Sequence, residues 1–214
     1  MKPLRFLITA GPTREFFDPI RFISNRSSGK MGYALAEAAR KLSPNVVLVS
    51  GPTALPAPKG VEFVPVVSAQ EMADAVLARY DAADVVIIAA AVCDFRPKTV
   101  ARTKIKKGTF SGMLELEPTM DILAELGRRK KSQVLVGFAA ETDNVEANAR
   151  EKLRRKHLDL IVANEASAFD SETTEVTLIN RGGRSEKLAE MPKADAAKAI
   201  LERVVGRVPR RGAA

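Results

Sequence analysis

Tryptophan is absent from this 214-residue chain, and aromatic residues make up only 5% of it. Stacking bases on aromatic rings, the usual way to hold single-stranded nucleic acid, is therefore poorly supplied. There is one cysteine, Cys93, and one histidine, His157. An internal disulfide is excluded, so a reducing compartment is expected. No structural metal is expected either, because the common zinc sites need several Cys and His. Cys93 has no histidine near it in sequence, so it reads as a small buried thiol rather than a nucleophile. No apolar run approaches the ~18 residues of a membrane helix. Met1 to Thr9 lacks the length and cleavage pattern of a signal peptide, and the expected location is the cytoplasm.

What is present is positive charge. Lys and Arg number 34 against 26 Asp and Glu, a formal net charge of +8. Such a surface draws in nucleic acid or small anionic substrates. The densest clusters are Lys104, Lys106, Lys107 and Lys152, Arg154, Arg155, Lys156. The apolar share of 46% is ordinary for a globular protein, and the length suits one domain over 1–206. The basic residues of 207–214, Arg210 and Arg211 among them, read as a disordered tail.

Apolar patterning alternates between two periods. Strands are expected at Leu4–Thr9, Val46–Val49, Val61–Val67, Asp84–Ala91, Val134–Ala139 and Leu158–Ala163. The uninterrupted Val85 to Ile88 suits a central parallel strand, buried on both faces. Helical spacing marks Met31–Leu42, Asp121–Arg129, Asn144–His157 and Ala194–Val205. Ala69–Tyr80 opens with Ser68 and Glu71 in capping-box spacing. Glu175–Asn180 and Glu186–Glu190 flank Arg181-Gly182-Gly183 as a hairpin. Gly11 to Ser28 reads as one long loop, and Phe95–Glu117 as a loop with an extended arm. The sum is an α/β fold, a doubly wound, Rossmann-like, mostly parallel sheet with helices on both faces. Its ligands belong at the carboxyl ends of the strands.

Ser27-Ser28-Gly29-Lys30-Met31-Gly32 opens a helix after small residues, which suits an anion or merely a capped helix. It is no Walker A motif: Ser24 and Met31 stand where glycine and Ser or Thr belong. Nor does Ala10-Gly11-Pro12 begin a dinucleotide fingerprint. Ser50 stands where a dinucleotide site would need an acidic residue, so an NAD(P)-dependent oxidoreductase is the weaker reading.

Longer blocks carry more information. Ile8 to Glu15, Asp18 to Arg21 and Ile23 to Gly32, then Val49 to Thr53, Ala89 to Phe95, Lys104 to Lys107, Val136 to Thr142 and Asp159 to Asn164, follow one another over nearly the whole chain. In this order they resemble the phosphopantothenoylcysteine synthetase family. In many bacteria that activity forms the second half of a bifunctional protein, behind a flavin-dependent decarboxylase; no flavin is expected here. The resemblance implies a ligase of coenzyme A biosynthesis that joins 4′-phosphopantothenate to L-cysteine through an acyl-cytidylate made from CTP. Mg²⁺ would accompany the nucleotide, with no residue assigned to it. A homodimer through arms is implied, with neither nucleic acid nor membrane as partner. Some relatives, chiefly eukaryotic, use ATP.

The resemblance also implies roles. Asn25 would donate to the acyl oxygen of the intermediate, although alone it reads as a turn residue. Lys104 would offset charge at the α-phosphate, although alone it reads as part of a solvated run. Asp94 would recognise cytosine, or merely cap a loop. Phe138 would contact the nucleotide, or fill core. Met120, Asp121, Ile122 and Leu123 align with a nucleotide-binding segment usually written Asn-Pro-Asp-Ile; Thr119-Met120 departs from it. Lys152 and Lys156, four apart on one helix face, would hold the triphosphate, or be surface charge. Gly11, Ser27, Ser28, Gly29 and Lys30 would form the phosphate and substrate loop.

Overall fold

The computed structural model describes residues 2–109, 111–141, 144–165 and 171–209. Of the basic tail expected over 207–214, positions 210–214 lie outside these, as does Thr142.

β1 (Arg5–Ala10) pairs in parallel with β4 (Asn45–Ser50) on one side and β6 (Val85–Ile88) on the other. β5 (Glu62–Pro65) extends the β4 side. β9 (Val134–Glu141) and then β10 (Leu160–Glu165) extend the β6 side, also in parallel. β11 (Thr173–Asn180) and β12 (Ser185–Pro192) complete the sheet as an antiparallel hairpin. The full order is β12-β11-β10-β9-β6-β1-β4-β5. Its parallel part reverses direction of growth between β1 and β6, the switch point at which such sheets open a crevice.

The two faces follow from the pleat, which turns successive residues to opposite sides. Phe6, Ile8, Val46, Leu48, Val85 and Ile87 face α1 (Lys30–Leu42) and α5 (Lys193–Val205). Leu7, Val49, Val86, Ile88 and Leu135 face α2 (Ala69–Tyr80), α3 (Ile122–Arg129) and α4 (Val145–Arg155). Phe6, Leu7 and Ile8 are each at most 1% exposed. Burial of each such side chain contributes roughly 1.5–3 kcal/mol. The sheet is thus covered twice, as the alternation of periods required.

Two expectations change. Gly11 to Ser28 is not one loop: β2 (Arg14–Phe16) and β3 (Phe22–Ser24) form a small antiparallel ladder, with the Phe16 and Phe22 rings 5.2 Å apart. Three-residue strands around Pro19 are too short to show a period. Within Phe95–Glu117 the arm is an antiparallel ladder of β7 (Phe95–Pro97) with β8 (Leu116–Pro118), and Lys107–Thr109 forms one turn of 3-10 helix. Elsewhere the elements stand within a few residues of their expected places. At α2, Glu71 N–H donates to the Ser68 hydroxyl at 3.1 Å, but the Glu71 carboxylate reaches back to Val67 N–H at 2.7 Å, one residue beyond the capping-box partner.

Candidate active site

The crevice lies where β1 and β6 end. Ala91 N–H donates to the Gly11 carbonyl at 2.9 Å, Thr13 N–H to the Ala91 carbonyl at 3.3 Å, and Gly51 N–H to the Ala10 carbonyl at 3.0 Å. These bonds tie the ends of β1, β4 and β6 into a floor. Above it opens a cavity of about 350 Å³, within the range of small-molecule sites. Residues 25–32 form one wall and residues 89–92 with Asp94 another; Phe138, Ala140, Lys152, Asn164, Thr174, Val176 and Lys193 complete the lining. A second cavity of about 150 Å³ adjoins it and shares Ala90, Val92, Asp94, Phe138 and Lys152. Thr119 to Leu123 and Lys156 line its far side.

The charged side chains of the larger cavity are mostly cationic. Arg26, Lys30, Lys152 and Lys193 are on the larger cavity, against Asp94 as its carboxylate. α1 adds to this bias. Its N-cap is Gly29, at φ 78°, with no side-chain cap and no acidic residue in the first turn. Backbone N–H groups and a lysine thus open a helix beside the cavity, an arrangement that favours an anion there.

Asn25 is fixed by its amide. Nδ2 donates to the Val92 carbonyl at 2.9 Å and to the Ala91 carbonyl at 3.3 Å. The donor assigned to an acyl oxygen is therefore already bound to the 91–92 turn in this state, and Asn25 links the substrate loop to the end of β6. Ser27 and Ser28 sit on the same wall, with Gly29 N–H donating to the Ser27 hydroxyl at 3.3 Å. Gly11 lies in the floor beneath, outside the lining.

The second cavity is built around an ion pair that sequence reading did not foresee. The Lys156 ammonium, on a residue 8% exposed, meets both Asp121 oxygens at 2.7 and 2.8 Å. Asp121 also caps α3, accepting from Ala124 N–H at 3.0 Å. Burial works to raise the Asp121 carboxyl, but the Lys156 and Ala124 hydrogen bonds and the charges of Lys156 and Arg155 outweigh it, and the group lies below its ordinary value of 3.8. A lowered folded value means a stability contribution complete above the unfolded pKa and lost as pH falls through the folded one. Lys156→Met is expected to cost about 1 kcal/mol, discounted for the half-exposed carboxylate. In urea melts the difference from wild type should be constant from about pH 5 to pH 8 and shrink below about pH 4. A difference that grew on acidification would contradict this account. Lys152 lines both cavities and donates to the Phe138 carbonyl at 3.3 Å. Phe138 is half-buried and divides the two spaces. Met120 is exposed at their rim, while Ile122 and Leu123 are buried beneath.

Lys104 is exposed and lines neither cavity. Its place is set by Asp18, which is 0% exposed. One oxygen of Asp18 accepts from Ile20 and Arg21 N–H at 2.8 Å each, and the other from Ile105 N–H at 3.2 Å. Arg21 in turn donates to the Ile105 carbonyl at 2.7 Å. Burial acts to raise the Asp18 carboxyl, yet these N–H donors and the Arg21 charge hold it below its ordinary value. The segment bearing Lys104 is thereby moored to the turn between β2 and β3. Lys193 and Thr174 escaped sequence reading because no local pattern marks them; Asp18 stood in a motif block but was given no role. Cys93 is buried, and burial pushes its thiol up, away from a nucleophilic thiolate.

Comparison with known proteins covers almost the whole chain. The family model described as the DNA/pantothenate metabolism flavoprotein C-terminal domain matches residues 1–207. The coenzyme A biosynthesis bifunctional protein CoaBC of Bacillus subtilis (strain 168) is 54% identical over 203 residues, covering 92% of this chain and 50% of that protein. A protein from an unknown prokaryotic organism, named cysteine/cysteine sulfinic acid decarboxylase, is 44% identical over 213 residues, 95% of this chain and 59% of its own length. The chain thus spans about half the length of the curated relatives it matches. The crystal structure of the C-terminal domain of a CoaBC protein superposes with a TM-score of 0.83 at 48% identity, covering 95% of each chain. A Cab2 mutant in complex with phosphopantothenate-cysteine shares the fold, with a TM-score of 0.77 at 19% identity over 96% of this chain and 86% of that one.

Proposed function

This chain belongs to the DNA/pantothenate metabolism flavoprotein C-terminal domain family, and from that membership and its cationic double cavity we propose that it is a phosphopantothenate–cysteine ligase. The observation that carries the reading is one continuous surface, bearing Asn25, Asp94, Phe138 and Lys152, at the switch point of the sheet. The 54% identical relative is named for coenzyme A biosynthesis, which supports the reading. We take CTP as the nucleotide, with the smaller cavity and the Asp121–Lys156 pair on the base side.

The reaction has two steps. A carboxylate oxygen of 4′-phosphopantothenate attacks the α-phosphorus of CTP. An acyl–O–P bond forms, the bond to the β-phosphate breaks, and pyrophosphate leaves. The amine of L-cysteine then attacks the acyl carbon. A C–N bond forms, the C–O bond to CMP breaks, and the amine loses its proton. Lys152 and Lys30 hold the anionic reactants against their mutual repulsion. Asn25 shields the acyl-nucleotide from the 91–92 side. Lys104 would neutralise the phosphoryl group once the 100–107 segment, or that of a second subunit, reaches the cavity. Among the described residues no three His, Cys, Asp or Glu gather in one place. Mg²⁺ would be held mainly by the nucleotide's own phosphate oxygens, with Asp94 as the cavity's candidate carboxylate, and would supply charge neutralisation.

A homodimer is part of the proposal. Ile20, Phe22, Phe95, Val100, Leu116 and Met113 are large apolar side chains at 39–79% exposure, all on the β2–β3 hairpin or the β7–β8 arm. An apolar cluster of this kind marks an association surface. No helix among the described residues is long and apolar enough to cross a membrane, and the cytoplasm is the proposed location.

Mass spectrometry of the products tests the reading. With CTP, phosphopantothenate and cysteine, phosphopantothenoylcysteine, CMP and pyrophosphate are expected in equal amounts. Equal or faster turnover with ATP would remove the CTP assignment. Release of CO₂ from cysteine with no nucleotide consumed would replace the ligase by the activity in the name of the 44% identical relative.

A further inference from the structure

The wall of the larger cavity near β11 carries a cation that none of these roles uses. Lys193 opens α5 and is only 8% exposed. It lines the cavity with Lys30, Asn164 and Thr174, the last 3% exposed. Lysines this far withdrawn from water are uncommon, because an ammonium group loses hydration on burial and must regain it from oxygens. The neighbouring carboxylate is Glu172. Its Oε1 accepts from the Lys30 ammonium at 2.5 Å, and Lys193 acts on the same group through space. The Glu172 side chain is nonetheless 83% exposed and does not line the cavity. Two lysines therefore line the wall, while the carboxylate paired with Lys30 reaches in from solvent. An exposed pairing of that kind is weak and readily exchanged. A phosphate brings up to two charges and three acceptor oxygens to the same place.

We propose that Lys193 and Lys30, with the Thr174 hydroxyl beside them, form a phosphate-binding subsite in which the Glu172 carboxylate stands in for the ligand. The idea rests on the ligase reading for the identity of the phosphate. It would be either the phosphomonoester of the acid substrate or the diphosphate released from the nucleotide, which present the same tetrahedral oxyanion.

Calorimetric titration of the full chain with inorganic pyrophosphate and inorganic phosphate tests the subsite without any turnover, so the result stands whether or not the ligase reading does. Lys193→Met is expected to weaken pyrophosphate binding by about tenfold, the value of one charge-assisted hydrogen bond. Lys193→Arg keeps the charge and should stay within about threefold. Glu172→Gln removes the competitor and should tighten binding. Unchanged affinity in Lys193→Met, or weaker binding in Glu172→Gln, would overturn the proposal; the latter variant alters an exposed residue and does not threaten the fold. Turnover then separates the sources. If Lys193→Met loses its preference for phosphopantothenate over pantothenate at unchanged KM for CTP, the subsite holds the phosphomonoester. If instead KM for CTP rises and product inhibition by pyrophosphate weakens, it holds the diphosphate. If neither moves, Lys193 is no ligand of the reaction and the subsite is refuted.

Discussion

Asn25→Asp is expected to fold as wild type does and to form product at least about 100-fold more slowly, the usual loss when one preorganised polar donor is removed from an active site. Asn25 is exposed and buries nothing, so its loss leaves the core intact. Its amide, however, donates to two carbonyls of the 91–92 turn. A carboxylate cannot donate to them. It would place a negative oxygen against two carbonyl oxygens and add charge where the proposed reaction brings a carboxylate and a triphosphate together. Both effects push the substrate loop away from the end of β6. Single-turnover product formation, with melting temperature as the control, decides it. A rate within about threefold of wild type would remove Asn25 from the mechanism. Lys104→Gln should lose activity comparably, because a neutral amide cannot offset charge at the α-phosphate. An unaffected Lys104→Gln protein would mean that the exposed position seen here is also its working position.

The second large effect is on folding. At Gly51 an added methyl would stand 1.8 Å from the Pro12 carbonyl oxygen and 2.7 Å from its carbon. Both are backbone atoms and cannot rotate aside. The crossing of the 11–13 segment over Gly51 would have to separate, and with it the bond from Gly51 N–H to Ala10. Gly51→Ala should cost about 3 kcal/mol, the upper part of the range for overpacking. In a chain of this size that lowers the melting temperature by about 6–12 °C. Thr13 continues this segment and accepts Cys93 N–H on its hydroxyl at 2.9 Å, so catalysis should fall further than stability explains. A melting temperature within about 2 °C of wild type would show that the crossing is more compliant than its geometry implies.

How far the sequence could be read depended on how local each feature is. The start of α2 was legible to the residue, because Ser68 and Glu71 mark it within one turn. The β2–β3 and β7–β8 ladders were not: each strand is three residues long, and the latter pair joins residues as far apart as Phe95 and Pro118. The resemblance pointed to Asn25, Asp94, Phe138 and Lys152, and these share a cavity. Lys104 came from the same resemblance and stands outside both cavities, held by a buried Asp18 whose partners are scattered from Ile20 to Ile105. The resemblance gave Lys156 the triphosphate, and here its ammonium pairs with Asp121 across two elements.

By itself, then, the sequence determined the alternation of strand and helix, the parallel core and the edge at which ligands belong. Those follow from side-chain periodicity, which each segment carries alone. Only the tertiary structure decided which charges find which partners, since Lys30 reaches Glu172, Lys156 reaches Asp121 and Asp18 reaches Ile105 after distant elements have packed. Contacts of that kind arise from the pairing of whole elements, and no window of neighbouring residues encodes them.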